Sequence, residues 1–343
     1  MIRTIGCGDR AGLAQVRALL ADEGLTLDAH LDYTCGLFDE NDALLATGSC
    51  FASTLRCFAV AKAHQGEGLL NEVVTHLADV QAARGNFHLF VYTRPHSARF
   101  FESLGFSEIA RPDDTLVFME NRKRGFEKFC ERLSGARRPG TAAAIVMNAN
   151  PFTLGHRYLA EQASARYDTV HLFVLSEDRS LFPADVRLRL VRAGVQEFPN
   201  VLVHETQDYL ISAATFPAYF LKDSESAVRA GARLDAALFV KIAAALGISA
   251  RLLGEEPLSR TTRIYNEVLS DALRTSGLRA VILPRLCTDG RAVSASCVRQ
   301  LIHDGRLADA RPLVPASTWA WLTSPAAQPV LEAVRAAADV GHD

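Results

Sequence analysis

The chain has 343 residues, 49% of them hydrophobic, and its 37 Lys and Arg against 39 Asp and Glu leave a formal net charge of −2. That balance excludes a broad electrostatic attraction to nucleic acid or to an anionic membrane surface, and no apolar run approaches the ~20 residues a membrane-spanning helix needs. The length suits two domains, each able to bury a core of its own. Met1-Ile2-Arg3-Thr4-Ile5-Gly6 lacks the apolar core of a signal peptide. The seven cysteines, at 7, 35, 50, 57, 130, 287 and 297, form no C-x-x-C pair. A scattered, odd set suits a reducing cytoplasm, with most cysteines acting as small hydrophobes, and no zinc site is expected.

In chain order, a helix fits Arg10 to Glu23, and strands fit Tyr33 to Phe38, Ala43 to Phe51 and Thr54 to Ala61. A helix follows from Leu69 to Arg84 and a strand from Phe87 to Tyr92. Residues 1–121 thus read as an α/β domain with antiparallel character. A charged helix, Arg122 to Arg138, runs into Arg137-Arg138-Pro139-Gly140, and this basic stretch, 122–140, reads as a linker. From Thr141 to the end, 141–343, strands and helices alternate. Strands fit 142–148, 169–175, 200–204, 250–254 and 279–283. Helices fit 155–166, 184–196, 235–246, 262–275 and 295–303. That is the pattern of a doubly wound parallel sheet, whose ligand lies beyond the strand C-termini at a switch point.

Asn148-Ala149-Asn150-Pro151-Phe152-Thr153-Leu154-Gly155-His156 sits at one such strand end. A buried strand, a tight turn and T-x-G-H at a helix start build a phosphate site, because the helix N-terminus offers unpaired N–H groups and a positive dipole. Gly155 lets a phosphate approach the backbone, and Thr153 and His156 can donate to an α-phosphate as it becomes five-coordinate. Transfer at phosphorus is catalysed by positioning and charge stabilisation, so the protein need supply no nucleophile. A bare T-x-G-H would be an ordinary surface turn; the strand before it and a second motif reverse that reading. In Ser294-Ala295-Ser296-Cys297-Val298-Arg299, two serines open a helix, where they can cap it or hold phosphate oxygens. Arg299, one turn in, can grip phosphate with its planar fork. Arg179, on the loop after the second strand of this domain, can neutralise triphosphate charge. Arg187, in the next helix, either does the same or pairs with a nearby acid. Glu255, in Gly254-Glu255-Glu256-Pro257, and Arg263, near Arg260, Tyr265 and Asn266, are candidates for substrate contact.

Together, N-P-F-T-x-G-H and S-x-S-x-V-R resemble the nucleotidylyltransferase superfamily with (H/T)-x-G-H motifs, whose domain is a Rossmann-like sheet of the HUP type. Met147 departs from it, since many members have glycine there. The runs Asn150 to Leu159, Leu172 to Asp178, Ala214 to Lys222 and Gly254 to Pro257 are similar to the citrate (pro-3S)-lyase ligase family. The resemblance implies an enzyme that spends ATP, with Mg²⁺ accompanying it, and releases AMP and pyrophosphate. Acetate becomes acetyl-adenylate and then acetylates the thiol of the dephospho-CoA-like prosthetic group on the acyl-carrier (gamma) subunit of citrate lyase. It implies catalytic roles for His156, Thr153 and Arg179, and phosphate binding by Asn148, Asn150, Gly155, Ser294, Ser296 and Arg299. The N-terminal domain resembles the GNAT acetyltransferases through Gln65-Gly66-Glu67-Gly68-Leu69-Leu70 and through Pro95 to Phe106. Leu70, Pro95 and Phe101 depart from their pattern, Phe101 replacing a tyrosine that often serves as general acid. The expectation is a kept fold in which Gln65, Gly66 and Gly68 dock the prosthetic arm rather than catalyse. The competing readings are a nucleotidylyltransferase acting on a phosphate-bearing metabolite, an acetyl-CoA-dependent acetyltransferase and an inactive binding protein.

Overall fold

Strand-forming segments of the first 120 residues are rich in β-branched and aromatic residues, and they join one mixed sheet. The computed structural model describes residues 1–176, 180–210, 216–217, 219–221, 223–255, 259–288 and 291–341. The chain forms two units: Met1–Lys128 with Phe216–Leu234, and Phe129–Thr215 with Asp235–Asp343. A segment that sequence order places deep in the second half therefore belongs with the first unit.

Unit 1 contains β1 (Ile2–Thr4), β2 (Tyr33–Phe38), β3 (Leu44–Phe51), β4 (Thr54–Val60), β5 (Phe90–Thr93), β6 (Ser107–Asp113) and β7 (Leu116–Glu120). Their order in the sheet is β1-β2-β3-β4-β5-β7-β6. All neighbours pair antiparallel except β4 and β5, which pair parallel. Helix α1 (Arg10–Asp22) starts where the Asp9 carboxylate accepts from the Gly12 N–H at 2.9 Å. Helix α2 (Leu69–Ala83) buries Val73, Val74 and Leu77 against Cys35, Ala46 and Leu55 of the sheet. Its N-cap is Gly68 at φ +83°, two residues after Gly66 at φ +91°, both in the region that favours glycine. Helix α3 (Pro95–Ser103) adds Ala98 and Phe101 to the same core. The strand expected at Phe87 to Tyr92 begins only at Phe90, because Phe87 is 71% exposed and lies before the ladder.

In unit 2, β8 (Ala142–Met147), β9 (Thr169–Val174), β10 (Val201–Glu205), β11 (Ile248–Gly254) and β12 (Arg279–Leu283) form an all-parallel sheet in the order β10-β9-β8-β11-β12. The chain winds outward from β8 through β9 to β10, then returns to the other side of β8 at β11. The switch point therefore lies between β8 and β11. The run Ala142 to Ile145 is buried on both faces, as a central parallel strand must be. Helices α5 (Leu154–Ser164), α6 (Ala184–Val195) and α8 (Arg260–Thr275) connect the strands, and α9 (Ala295–His303) follows β12. Helix α4 (Gly125–Ser134) and helix α7 (Ser224–Leu246) carry the chain from one unit to the other. Helix α4 is shorter than the basic stretch Arg122 to Arg138 implies, since Arg124 sits at φ +57° just before it. Helix α7 starts eleven residues before the apolar run that marks it in the sequence, because the Asp223 carboxylate caps Ser226 N–H at 2.7 Å and nucleates polar first turns. The closing helices α10 (Ala316–Leu322) and α11 (Gln328–Ala336) lay Leu322, Val330, Leu331 and Val334 onto the sheet core.

Phe152, from the turn after β8, is fully buried, and Gly194 of α6 makes room for it: a Cβ at Gly194 would stand 2.3 Å from the Phe152 ring. Glycine to alanine inside a helix ordinarily stabilises by about 1 kcal/mol. Here the sign should reverse. Gly194→Ala is expected to lower unfolding free energy by roughly 1–3 kcal/mol through overpacking, measured by urea denaturation. A stabilised variant would mean that the ring yields freely.

Candidate active site

The six residues between β8 and α5 have no strand or helix to pair with, and buried side chains supply their partners. Arg187 of α6, with no exposed surface, donates through Nη1 to the Asn148 carbonyl at 2.9 Å, the Asn148 Oδ1 at 2.6 Å and the Leu175 carbonyl at 2.7 Å. Its Nε donates to the Phe182 carbonyl at 2.9 Å. Arg187 thus ties the ends of β8 and β9 to the start of α6. Arg299 of α9 is equally buried, donating through Nη1 to the Asn150 carbonyl at 2.6 Å and through Nε to the Val340 carbonyl at 2.8 Å. The Asn150 side chain accepts from Phe182 N–H at 3.0 Å, the Asn150–Pro151 bond is cis, and Ala149 lies at φ +56°.

Thr153 and His156 then start α5 together. Thr153 N–H donates to His156 Nδ1 at 3.1 Å, and the Thr153 hydroxyl faces both Nδ1, at 3.0 Å, and His156 N–H, at 3.4 Å. This is a capping box with an imidazole in the place of the usual carboxylate. A backbone N–H can only donate, so Nδ1 is the acceptor and the neutral ring carries its proton on Nε2. Burial, followed by the positive charges of Arg285 and Arg299, pushes the His156 pKa down to about 4. His156 is therefore a neutral donor at physiological pH.

A second helix start faces the first. Ser294 caps α9, its hydroxyl accepting from Cys297 N–H at 3.1 Å and lying 3.1 Å from the Ser296 hydroxyl. A Cβ at Gly155 would come within 3.1 Å of the Val293 carbonyl, so glycine is what lets the two starts approach. They open on a cavity of about 360 Å³ at the C-terminal edge of β8 and β11. Its wall also carries Tyr265, whose hydroxyl donates to Asp235, and Arg251, which grips the same carboxylate at 2.9 and 2.7 Å. Asn266 donates to the Gly254 carbonyl at 3.2 Å.

Of the residues singled out in the sequence, Asn148, Thr153, Gly155, His156, Ser294 and Glu255 share this cavity wall. Arg187, Asn150 and Arg299 lie buried behind it, holding the turn. The side chains of Arg187 and Arg299 engage main-chain carbonyls that only the folded turn presents. Ser296 reaches Ser294, Arg263 is on the exposed side of α8, and Arg179 lies outside the described residues. The sequence reading passed over Arg285, Asp235 and Arg251. Arg285 carried a usable signal, since it stands two residues past the end of β12, at the same sheet edge. In unit 1, Gln65, Gly66 and Gly68 border a separate cavity of about 610 Å³. Gln65 also donates to Glu23 at 3.2 Å, and a Cβ at either glycine would meet nothing.

A parallel sheet with strand order 3-2-1-4-5 and a T-x-G-H helix start at its switch point defines an α/β protein of the nucleotidylyltransferase-like class. The family described as "Citrate lyase ligase C-terminal domain" matches residues 142–322. The chain is 36% identical to the citrate (pro-3S)-lyase ligase of Escherichia coli K12 over 317 residues, 90% of each protein. Among solved structures, one described as an acyl-CoA N-acyltransferase from Klebsiella pneumoniae is 20% identical. It aligns with 35% of this chain and 94% of its own, at TM-score 0.31. One described as a nicotinate-nucleotide adenylyltransferase from Vibrio parahaemolyticus is 17% identical and aligns with 57% of this chain and 96% of its own, at TM-score 0.35. The chain belongs to the citrate (pro-3S)-lyase ligase family and is an enzyme. Among the described residues no helix is long and apolar enough to cross a membrane.

Two measurements check the electrostatics and the scaffold. The folded pKa of His156 lies below its unfolded value of 6.5, so the unfolded chain binds a proton first as pH falls. The group's contribution to stability is complete above about 6.5 and is lost between there and about 4. NMR should show His156 neutral at pH 6, with a midpoint near 4 that rises when a polyphosphate binds and opposes the arginine charges. Arg299→Ala should destabilise the fold by on the order of 3 kcal/mol, because two hydrogen bonds from a charged group are lost inside the protein. A melting temperature equal to that of the wild type would contradict this scaffold role.

Proposed function

We propose that the enzyme acetylates the prosthetic-group thiol on the acyl-carrier (gamma) subunit of citrate lyase, using ATP and acetate and releasing AMP and pyrophosphate. One observation carries this reading: two helix N-termini and a neutral Nε2–H of His156 converge on one cavity at the switch point of a parallel sheet. Such a place favours the negative charge of a phosphate in transfer.

Acetate is a poor electrophile, because its carboxylate is charged and resonance-stabilised. In the first step an acetate oxygen attacks the α-phosphorus of ATP. A P–O bond forms to acetate, the bond to the β-phosphate breaks, and pyrophosphate leaves. The first-turn N–H groups around Gly155, with the His156 Nε2–H, receive the charge that builds on the α-phosphate oxygens. Thr153 holds His156 in its tautomer. We assign Asn148, Ser294, Ser296 and Arg179 to the outer phosphates, and Arg285 adds positive charge on the cavity wall. Magnesium, as part of the ATP substrate, would neutralise part of the triphosphate charge. In the second step the carrier's thiolate attacks the acetyl carbon, the bond to AMP breaks, and the thiol proton passes to solvent. We assign Arg187, Arg299 and Asn150 to holding the turn, and Glu255 to the rim of the substrate cavity. Unit 1 docks the prosthetic arm, its nucleotide end beside Gln65, Gly66 and Gly68. Seven free cysteines suit a cytoplasmic setting.

His156→Ala should reduce acetate-dependent pyrophosphate release by roughly 10²–10³, the usual effect of losing one donor to a developing oxyanion, with circular dichroism unchanged. Near-wild-type release would remove His156 from the mechanism. Pyrophosphate release that needs a phosphate-bearing metabolite instead of acetate would favour the nucleotidylyltransferase reading. Carrier acetylation from acetyl-CoA without ATP would overturn the whole scheme.

A further inference from the structure

The unit 1 cavity lies against two strands whose pairing is brief. Strands β4 and β5 run parallel and pair only at Thr54–Phe90 and Leu55–Val91. Beyond that point the cavity borders both: Phe58 to Val60 on the β4 side, Thr93 and Arg94 on the β5 side. The loop with Gly66 and Gly68 follows Val60 and lines the same cavity. Tyr92 is the first residue past the last pair, where the two strands stop bonding.

Tyr219, on the cavity wall, reaches that point. Its hydroxyl donates to the Tyr92 carbonyl at 2.7 Å, and the residue is only 5% exposed. Its own carbonyl accepts from Thr26 N–H at 2.8 Å and from the Thr26 hydroxyl at 3.3 Å. The next residue is fastened too: Arg94 Nη2 donates to the Phe220 carbonyl at 3.1 Å and to the Gly24 carbonyl at 3.2 Å. The two rings meet edge to face, 5.0 Å apart. Tyr219 lies within the segment Phe216–Leu234, which belongs to unit 1. The main chain that carries the ring is fastened by Thr26, and turning the ring away would cost the Tyr92 bond as well, so this wall is stiff. Leu25, Phe58, Phe101 and Phe220 line the cavity with it and offer apolar surface to a sulfur or a methyl group, and Arg94 and Thr93 add polar groups to the same wall.

We propose that Tyr219 is the length gauge of this cavity, admitting a pantetheine arm that ends in a free thiol or an acetyl group and refusing one with a longer acyl chain. The proposal rests on the reading of unit 1 as the dock of the prosthetic arm. A gauge of this kind admits the free thiol and its acetylated product alike and rejects arms already carrying a bulkier acyl group.

The test is calorimetric titration of the full-length chain, without ATP, against CoA, acetyl-CoA and hexanoyl-CoA. Extra methylenes pressed against a stiff wall should weaken hexanoyl-CoA roughly tenfold or more relative to CoA. Tyr219→Ala should bring the three to within about threefold, whereas Tyr219→Phe, which keeps the ring, should preserve the discrimination. CoA affinity and the melting curve of each variant report whether it has folded; if Tyr219→Ala has not, the wild-type series and Tyr219→Phe still decide. Equal binding of CoA and hexanoyl-CoA by the wild type overturns the gauge and leaves the dock intact. Failure of the wild type to bind either CoA or acetyl-CoA overturns the dock, and the gauge with it.

Discussion

Between Met147 and Leu154 the chain leaves a buried strand and enters a helix through a turn whose carbonyls have no place in either ladder. Burying such groups unpaired would cost about 1–3 kcal/mol each. Two guanidinium groups that are themselves fully buried, those of Arg187 on α6 and Arg299 on α9, supply donors to the turn. Each needs the turn as much as the turn needs it, since a buried cation without oxygen partners would be far costlier than a neutral side chain. Everything at the candidate site follows from this mutual requirement. With Asn148 and Asn150 fixed, Phe152 drops onto Gly194, and Thr153 and His156 are left at the mouth of α5 in one orientation.

In the proposed site an anion would meet oriented dipoles more than net charge. Arg251 is cancelled by Asp235, with Tyr265 adding a third hydrogen bond to the same carboxylate. His156 is neutral, because burial and the neighbouring arginines disfavour its proton. Directional donors make up the rest: the N–H groups of two helix starts and the Nε2–H of His156, with the Arg285 side chain also on the wall. Fixed dipoles of this kind need no reorganisation when charge develops on a phosphate. Gly155 matters to both halves of the arrangement, since a side chain there would collide with the Val293 carbonyl and push the helix starts apart.

Unit 1 shows a related economy. Its one parallel strand pair ends early, and the gap that follows is both the cavity and the place where a segment from later in the chain is received. Phe101 is part of the hydrophobic core there, packed on Phe58 with ring centres 5.5 Å apart. A phenyl ring in that position has no proton to give.

Much of the protein was legible in its residues because the signals are local. Strand and helix alternation after Thr141 gives the parallel sheet, since apolar β-runs buried on both faces leave few other arrangements. T-x-G-H and S-x-S announce helix starts because a cap and its partner lie within three residues of each other. The α/β class of the first unit and its glycine loop were legible for the same reason. The roles of Arg187 and Arg299 were not. An arginine beside a phosphate motif reads identically whether it faces the ligand or lies beneath the loop, and Arg299 finds its carbonyl 149 residues away. The start of α7 was missed because polar first turns carry no apolar period, and Tyr219 because its partner, Tyr92, is 127 residues distant. Sequence determined which segments become strands, helices and caps, through interactions between near neighbours. Tertiary structure alone decided which charged and aromatic side chains face a ligand and which are buried as fastenings, because burial depends on contacts between residues far apart in the chain.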